Sequence, residues 1–84
     1  MPDKERLIEQ SWLSYRESVI PKDAGSVQLQ ECRRAFYAGA QGLFTIFMMV
    51  FDPRHDVTDG DLATMSSIEA ELKRYVAKVK AGLA

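Results

Sequence analysis

The chain has 84 residues, 46% of them hydrophobic, with 11 basic and 12 acidic side chains and a formal charge of −1. That length allows one domain with a modest core, and the composition is that of a globular chain rather than a disordered one. The balanced charge excludes a general nucleic-acid binder, which would carry a basic excess, and the single cysteine, Cys32, excludes an intramolecular disulfide and a cysteine-based zinc site.

The opening MPDKERLIEQ is densely charged, with no apolar stretch behind it. That pattern argues against a secretory signal and points to a cytoplasmic protein. A first helix is expected from about Asp3 to Ser18, with Ile8, Trp12, Tyr15 and Val19 at helical spacing. Pro21 closes it, because the residue before a proline, Ile20, is pushed out of helical dihedrals. Gly25 breaks the pattern in the linker PKDAGS, and Ser26 is the expected N-cap of the next helix.

The second helix is expected from about Val27 to Phe51. Leu29, Phe36, Leu43 and Val50 recur every seven residues, and Cys32, Gly39 and Ile46 follow the first three at three places, a heptad-like seam. Ala40, Phe44, Phe47 and Phe51 widen the apolar surface beyond one stripe. From Ala35 to Phe51 there is no charge. At a rise of 1.5 Å per residue this run reaches roughly 25 Å, short of a hydrocarbon core of about 30 Å. Gln41 and Thr45 add polar cost, so no membrane span is expected. A helix apolar over most of its circumference needs cover on more than one side. Ala35, Ala38, Gly39 and Gly42 form a small-residue stripe, and glycine inside a helix costs about 1 kcal/mol against alanine, which implies a packing need. We therefore expect a homo-oligomer, with Gly39, Gly42, Phe44, Phe47 and Phe51 at the interface; a compact monomer is the alternative.

The loop DPRHDVTDGD follows. Thr58 with Asp61 three places on resembles a capping box, and a third helix is expected from about Asp59 to Lys80. Met65, Ile68, Leu72, Tyr75 and Val79 make its seam, and Glu69 can pair with Lys73 one turn away. The expected fold class is all-α: a single helical domain over residues 1–84, with the second and third helices as a long antiparallel hairpin and the shorter first helix packed across it.

No catalytic constellation is present. His55 is the only histidine and sits among Asp52, Asp56, Asp59 and Asp61, but the spacing fits no calcium loop, so no metal is expected and Asp56 to Asp61 read as turn formers and helix N-terminal charges. Cys32 falls on the seam and reads as a buried, inert thiol. No cofactor is expected. Arg34, Tyr37 and Gln41 share one helix face, with Arg33 about 100° away. An arginine beside a tyrosine suits a planar anion such as a nucleotide, through bidentate pairing and stacking. The plainer alternative is that Arg34 pairs with an acid while Tyr37 covers the edge of the core. Lys73, Arg74, Lys78 and Lys80 complement the dipole of the last helix.

The stretch QLQECRRAFYAGAQGLF resembles a block of small proteins of tailed bacteriophages and prophages, with the pattern Q-x-x-E-x-R-R-A-F-Y-A-G-A carried by Gln28, Glu31, Arg33, Arg34, Ala35, Phe36, Tyr37, Ala38, Gly39 and Ala40. WLSYRESVIPKDA before it and TDGDLATMSSIEAELKRYV after it are similar in layout to the same group. The resemblance implies a phage accessory protein acting inside a bacterial host, without an assigned activity or functional residues to carry over. The expected function is non-catalytic binding: counter-defence through a host protein or through sequestering a signalling nucleotide. The alternative is a structural or assembly helical protein of the phage particle with no ligand, and a minor third reading is a membrane-active phage protein.

Overall fold

In the computed structural model, which describes residues 4–52 and 54–84, three α-helices follow in chain order: α1 Leu7–Val19, α2 Ser26–Val50 and α3 Asp59–Lys80. The described residues include no strand. The expected all-helical class holds. The chain divides into two compact units, Met1–Phe47 and Met48–Ala84, which are described separately.

In the first unit, α1 begins at Leu7, later than the expected start near Asp3, which lies outside the described residues. Arg6 takes the cap position with φ −137° and ψ 42° and makes no side-chain cap, and its carbonyl accepts the Gln10 amide at 3.0 Å, which opens the helix. The helix ends at Val19, where Ile20 turns extended at ψ 131° before Pro21. A turn closed by the Ala24 amide on the Pro21 carbonyl at 3.1 Å then reverses the chain. Ser26 is the first residue of α2 rather than its cap. The Gly25 carbonyl already accepts the Leu29 amide at 3.0 Å, which starts the helix one residue earlier than expected.

Joined by so short a linker, α1 returns along the N-terminal half of α2. The core of this pair is Trp12, 2% exposed, with Ile20, 8% exposed. The Trp12 ring meets Phe36 edge-on at 5.6 Å between centroids, and Tyr15 lies 5.7 Å from Phe36. Such pairs add to the area that each aromatic ring buries.

The expected burial of α2 is not met within the chain. Leu29, Cys32 and Phe36 are half-buried on the α1 side, but Gly39, Leu43, Ile46 and Val50 of the same seam are exposed, and no residue of α2 is buried. The seam changes character where α1 ends alongside it. Within the first unit α1 is the helix that covers α2, and it is little more than half as long as α2.

In the second unit, α3 is set by local signals at both ends. Thr58 Oγ1 accepts the Asp61 amide at 3.0 Å while Asp61 Oδ2 accepts the Thr58 amide at 3.0 Å, a complete capping box with aspartate in place of glutamate. At the other end Gly82, at φ +74°, lets the Leu83 amide reach the Lys78 carbonyl at 2.9 Å and its own amide reach Val79 at 3.1 Å, a Schellman motif. Lys73 Nζ and Glu69 Oε1 pair at 2.8 Å across one turn. No residue of α3 is buried.

Trp12→Ala removes the one fully buried side chain among the described residues of the first unit. We expect a loss of about 3–5 kcal/mol, enough to release α1 from α2. Urea unfolding followed by circular dichroism measures it. Thr58→Ala should cost about 1 kcal/mol in the same assay.

Candidate functional site

The heptad spacing of α2 places Arg33, Phe36 and Tyr37 on the side that α1 covers, and α1 brings Glu9 and Trp12 against them. Glu9 lies three residues before Trp12 and so shares its face. Arg33 Nη1 donates to Glu9 Oε1 at 2.9 Å and Nη2 donates to Oε2 at 2.6 Å, a bidentate pair. The Tyr37 hydroxyl donates to the same Oε2 at 2.6 Å. The guanidinium carbon of Arg33 also stands 5.1 Å from the Tyr37 ring centroid, within cation–π range.

The Glu9 side chain is 15% exposed, against 47% for Arg33. The hydrogen bonds from Arg33, then from Tyr37, hold the Glu9 carboxyl down to about 2, against the opposing effect of burial. The same bond to Glu9 raises the Arg33 guanidinium and the Tyr37 phenol above their ordinary values. The cluster is thus carboxylate, guanidinium and neutral phenol across the whole physiological range.

Arg34 makes no contact with Glu9 among the bonds of this cluster. Its Nη1 stands 3.5 Å from Glu31 Oε1, a long contact between two well exposed side chains. Arg33, Arg34, Tyr37 and Gln30 together line an open depression of about 390 Å³. Gln41 does not join it. Its Nε2 donates to Thr45 Oγ1 at 3.3 Å, and Thr45 Oγ1 donates to the Gln41 carbonyl at 2.9 Å. Of the four residues expected at a ligand site, three are brought together and Gln41 is turned along the helix.

Among the residues expected at an oligomer interface, Gly39, Gly42 and Phe44 are exposed, and Phe47 and Phe51 are half-buried. A Cβ added at Gly39 or Gly42 would meet nothing within 4 Å. Cys32 is half-buried rather than buried as expected. His55 Nε2 lies 3.4 Å from Asp52 Oδ2, and Arg54 holds Asp52 through its backbone amide at 2.9 Å and its side chain at 3.2 Å. Those bonds from Arg54 lower the Asp52 carboxyl. They make Asp52 a turn former, a role that the sequence assigns to Asp56 to Asp61. No group of three or more His, Cys, Asp and Glu side chains among the described residues could hold a metal ion. No helix among them is long and apolar enough to cross a membrane.

Sequence reasoning missed Glu9. The available signal was an acid on the face of α1 that carries Trp12, opposite an arginine on the covered face of α2. No family model, curated protein or solved structure matches the chain.

The folded-state carboxyl of Glu9 is depressed below its ordinary value of 4.5, to about 2. Its contribution is therefore complete above the unfolded value and is lost as pH falls through the folded one. Acid titration should weaken the α1–α2 pair between those two values, and Glu9→Gln should flatten that limb in a pH series of thermal melts.

Proposed function

We propose that this chain is a non-catalytic binding protein of the phage accessory type, acting as a homo-oligomer inside a bacterial cell and taking a planar anion, of the nucleotide class, as its ligand. The observation that carries the reading is the depression where Gln30, Arg33, Arg34 and Tyr37 meet. It sets two guanidinium groups and an aromatic ring within one helical turn, in the open. Arg33 and Tyr37 already hold a carboxylate there, with three donor contacts to Glu9. The same donor chemistry suits phosphate oxygens. Arg34, well exposed and only loosely engaged by Glu31, is the group with reach to spare for a ligand. The likeness of the R-R-A-F-Y-A-G-A block to phage and prophage proteins supplies the biological setting.

Self-association is supported by the exposed apolar side chains of α2, among them Phe44, Ile46 and Met49, the last 81% exposed. Open space at Gly39 and Gly42 supports it further, because the cost of glycine there has no return among the described residues of the first unit. The antiparallel hairpin of the two long helices belongs to this proposal on its sequence pattern alone. The same exposed apolar surface favours the second reading, a ligand-free assembly protein of the phage particle.

Thermal shift of the full-length protein against cyclic and linear nucleotides separates the two. A ligand at a hundred times its Kd stabilises the fold by about 2.7 kcal/mol, and an assembly protein ignores it. Arg34→Ala should weaken nucleotide binding by about 10- to 100-fold with unchanged helical content and particle mass. Arg33→Ala should instead loosen the α1–α2 pair, because it strips Glu9 of its bidentate partner. A screen in which no nucleotide binds removes the ligand from the reading and leaves assembly or capture of a host protein.

Gly39→Ala distinguishes a lone chain from an oligomer. In a lone chain it gains about 1 kcal/mol of helix propensity and raises the melting temperature. In an oligomer whose backbones approach at Gly39 it lowers association, read by light scattering.

A further inference from the structure

The depression between Arg33, Arg34 and Tyr37 has a neighbour in the same unit. Trp12 and Arg16 of α1, with Ser26, Val27, Gln30 and Arg33 of α2, line a second hollow of about 420 Å³. Gln30 and Arg33 belong to both hollows. Helical spacing explains why they run together. Glu9, Trp12 and Arg16 share one face of α1, and Ser26, Gln30, Arg33 and Tyr37 share one face of α2. All of these residues lie within Met1–Phe47, so the groove is a property of the first unit alone.

The two ends of the groove differ in charge. At the Tyr37 end the Glu9 carboxylate answers Arg33. At the Ser26 end Arg16 makes no hydrogen bond or ion pair among the described residues, and no acid is among those that line either hollow. Glu17, next to Arg16 in sequence, stands 3.8 Å from Lys22 instead, and Glu31 stands 3.5 Å from Arg34. The helix dipole accounts for a base in the last turn of α1, but any face of that turn serves the dipole equally. It gives no reason for Arg16 on the face of Glu9 and Trp12, beside Arg33. A guanidinium carries five N–H donors, and Arg33 gives two bonds to Glu9, so it has others to offer. Three like charges along one groove repel one another, and an anion that spans them relieves the repulsion.

We propose that the two hollows form one site, and that Arg16 takes a second anionic group there. The ligand is then a nucleotide with two phosphates set apart by its sugar, rather than a monophosphate. This rests on the nucleotide reading above and deepens it. Val27 and Arg34 mark the outer ends of the groove, seven residues or roughly 10 Å apart along α2. The neighbouring phosphates of a diphosphate share an oxygen and sit too close together to serve both ends. Phosphates on the two sides of one ribose stand wider. Arg34 and the Tyr37 ring receive the first phosphate and the base, Arg16 receives the second phosphate, and Arg33 lies between them.

Calorimetry on the full chain reads this with three probes for each of adenosine and guanosine: the 5′-monophosphate, the 5′-diphosphate and the 3′,5′-bisphosphate. The bisphosphate should bind about tenfold or more tighter than the other two. Arg16→Ala should cost the bisphosphate about tenfold more than it costs the monophosphate, and Arg16→Lys should recover part of that loss. Circular dichroism must show the same helical content in each variant. A bisphosphate that binds no better than the monophosphate overturns the second subsite and leaves the nucleotide reading standing. A diphosphate that binds as tightly as the bisphosphate overturns it too, since added charge then explains the gain without spacing. Equal losses for every probe in Arg16→Ala place Arg16 outside a second subsite. A chain that binds none of the probes, and no nucleotide in the thermal-shift screen, removes the nucleotide reading together with this one.

Discussion

The carboxylate of Glu9 is the one polar group on which the α1–α2 pair turns. It is mostly covered, and a covered carboxylate is costly unless its oxygens are bonded. Arg33 and Tyr37 supply those bonds, and in doing so they fix α1 in register on α2 where Trp12 fixes it in depth. A ring can rotate or slide on another ring. A bidentate guanidinium–carboxylate pair permits far less of either. The short linker through Pro21 then leaves α1 a single way back along α2.

The same carboxylate shapes the candidate site. Arg33 and Tyr37 are held in place before any ligand arrives, so their side-chain freedom is already lost and costs nothing on binding. Arg34 keeps its freedom, being only loosely engaged. The site combines a fixed ring and guanidinium with one mobile guanidinium. In the proposed binding, the fixed part would set orientation and the mobile part would close on charge. Glu9 already takes a bond from each Nη of Arg33, so the proposed anion would share Arg33 with it or draw mainly on Arg34 and the ring face.

The third helix was legible almost to the residue, because its limits are written in local chemistry: Thr58 with Asp61 at one end and basic side chains at the other. Its C-terminal Gly82 completes a motif that sequence spacing alone left unstated. The first two helices were legible as helices, but their starts were not. Arg6 offers no cap, and Gly25 takes the place expected for Ser26, so both limits are set by where backbone bonds begin rather than by a side-chain signal. Within the first unit the cover of α2 stops short of its apolar run. Heptad spacing states which side of a helix is apolar, not how much partner there is to cover it, and α1 runs out before Leu43. Of the candidate site, the arginines and Tyr37 were readable from one helix. Glu9 was not, since an acid on α1 becomes meaningful only once the turn at Pro21 has brought it opposite Arg33. Gln41 shared their face in projection, yet Thr45 one turn on offered it a nearer partner.

The small core, Trp12 with Ile20, has a consequence for how sharply this protein unfolds. Denaturant sensitivity and heat capacity of unfolding both follow the apolar surface released, and two buried side chains release little. A lone copy therefore loses structure gradually, helix by helix, over a wide span of temperature. Under the proposed self-association, copies that cover one another's exposed apolar side chains would release that surface all at once when they part. The breadth of the melt would then be a gauge of how much protein is in the tube.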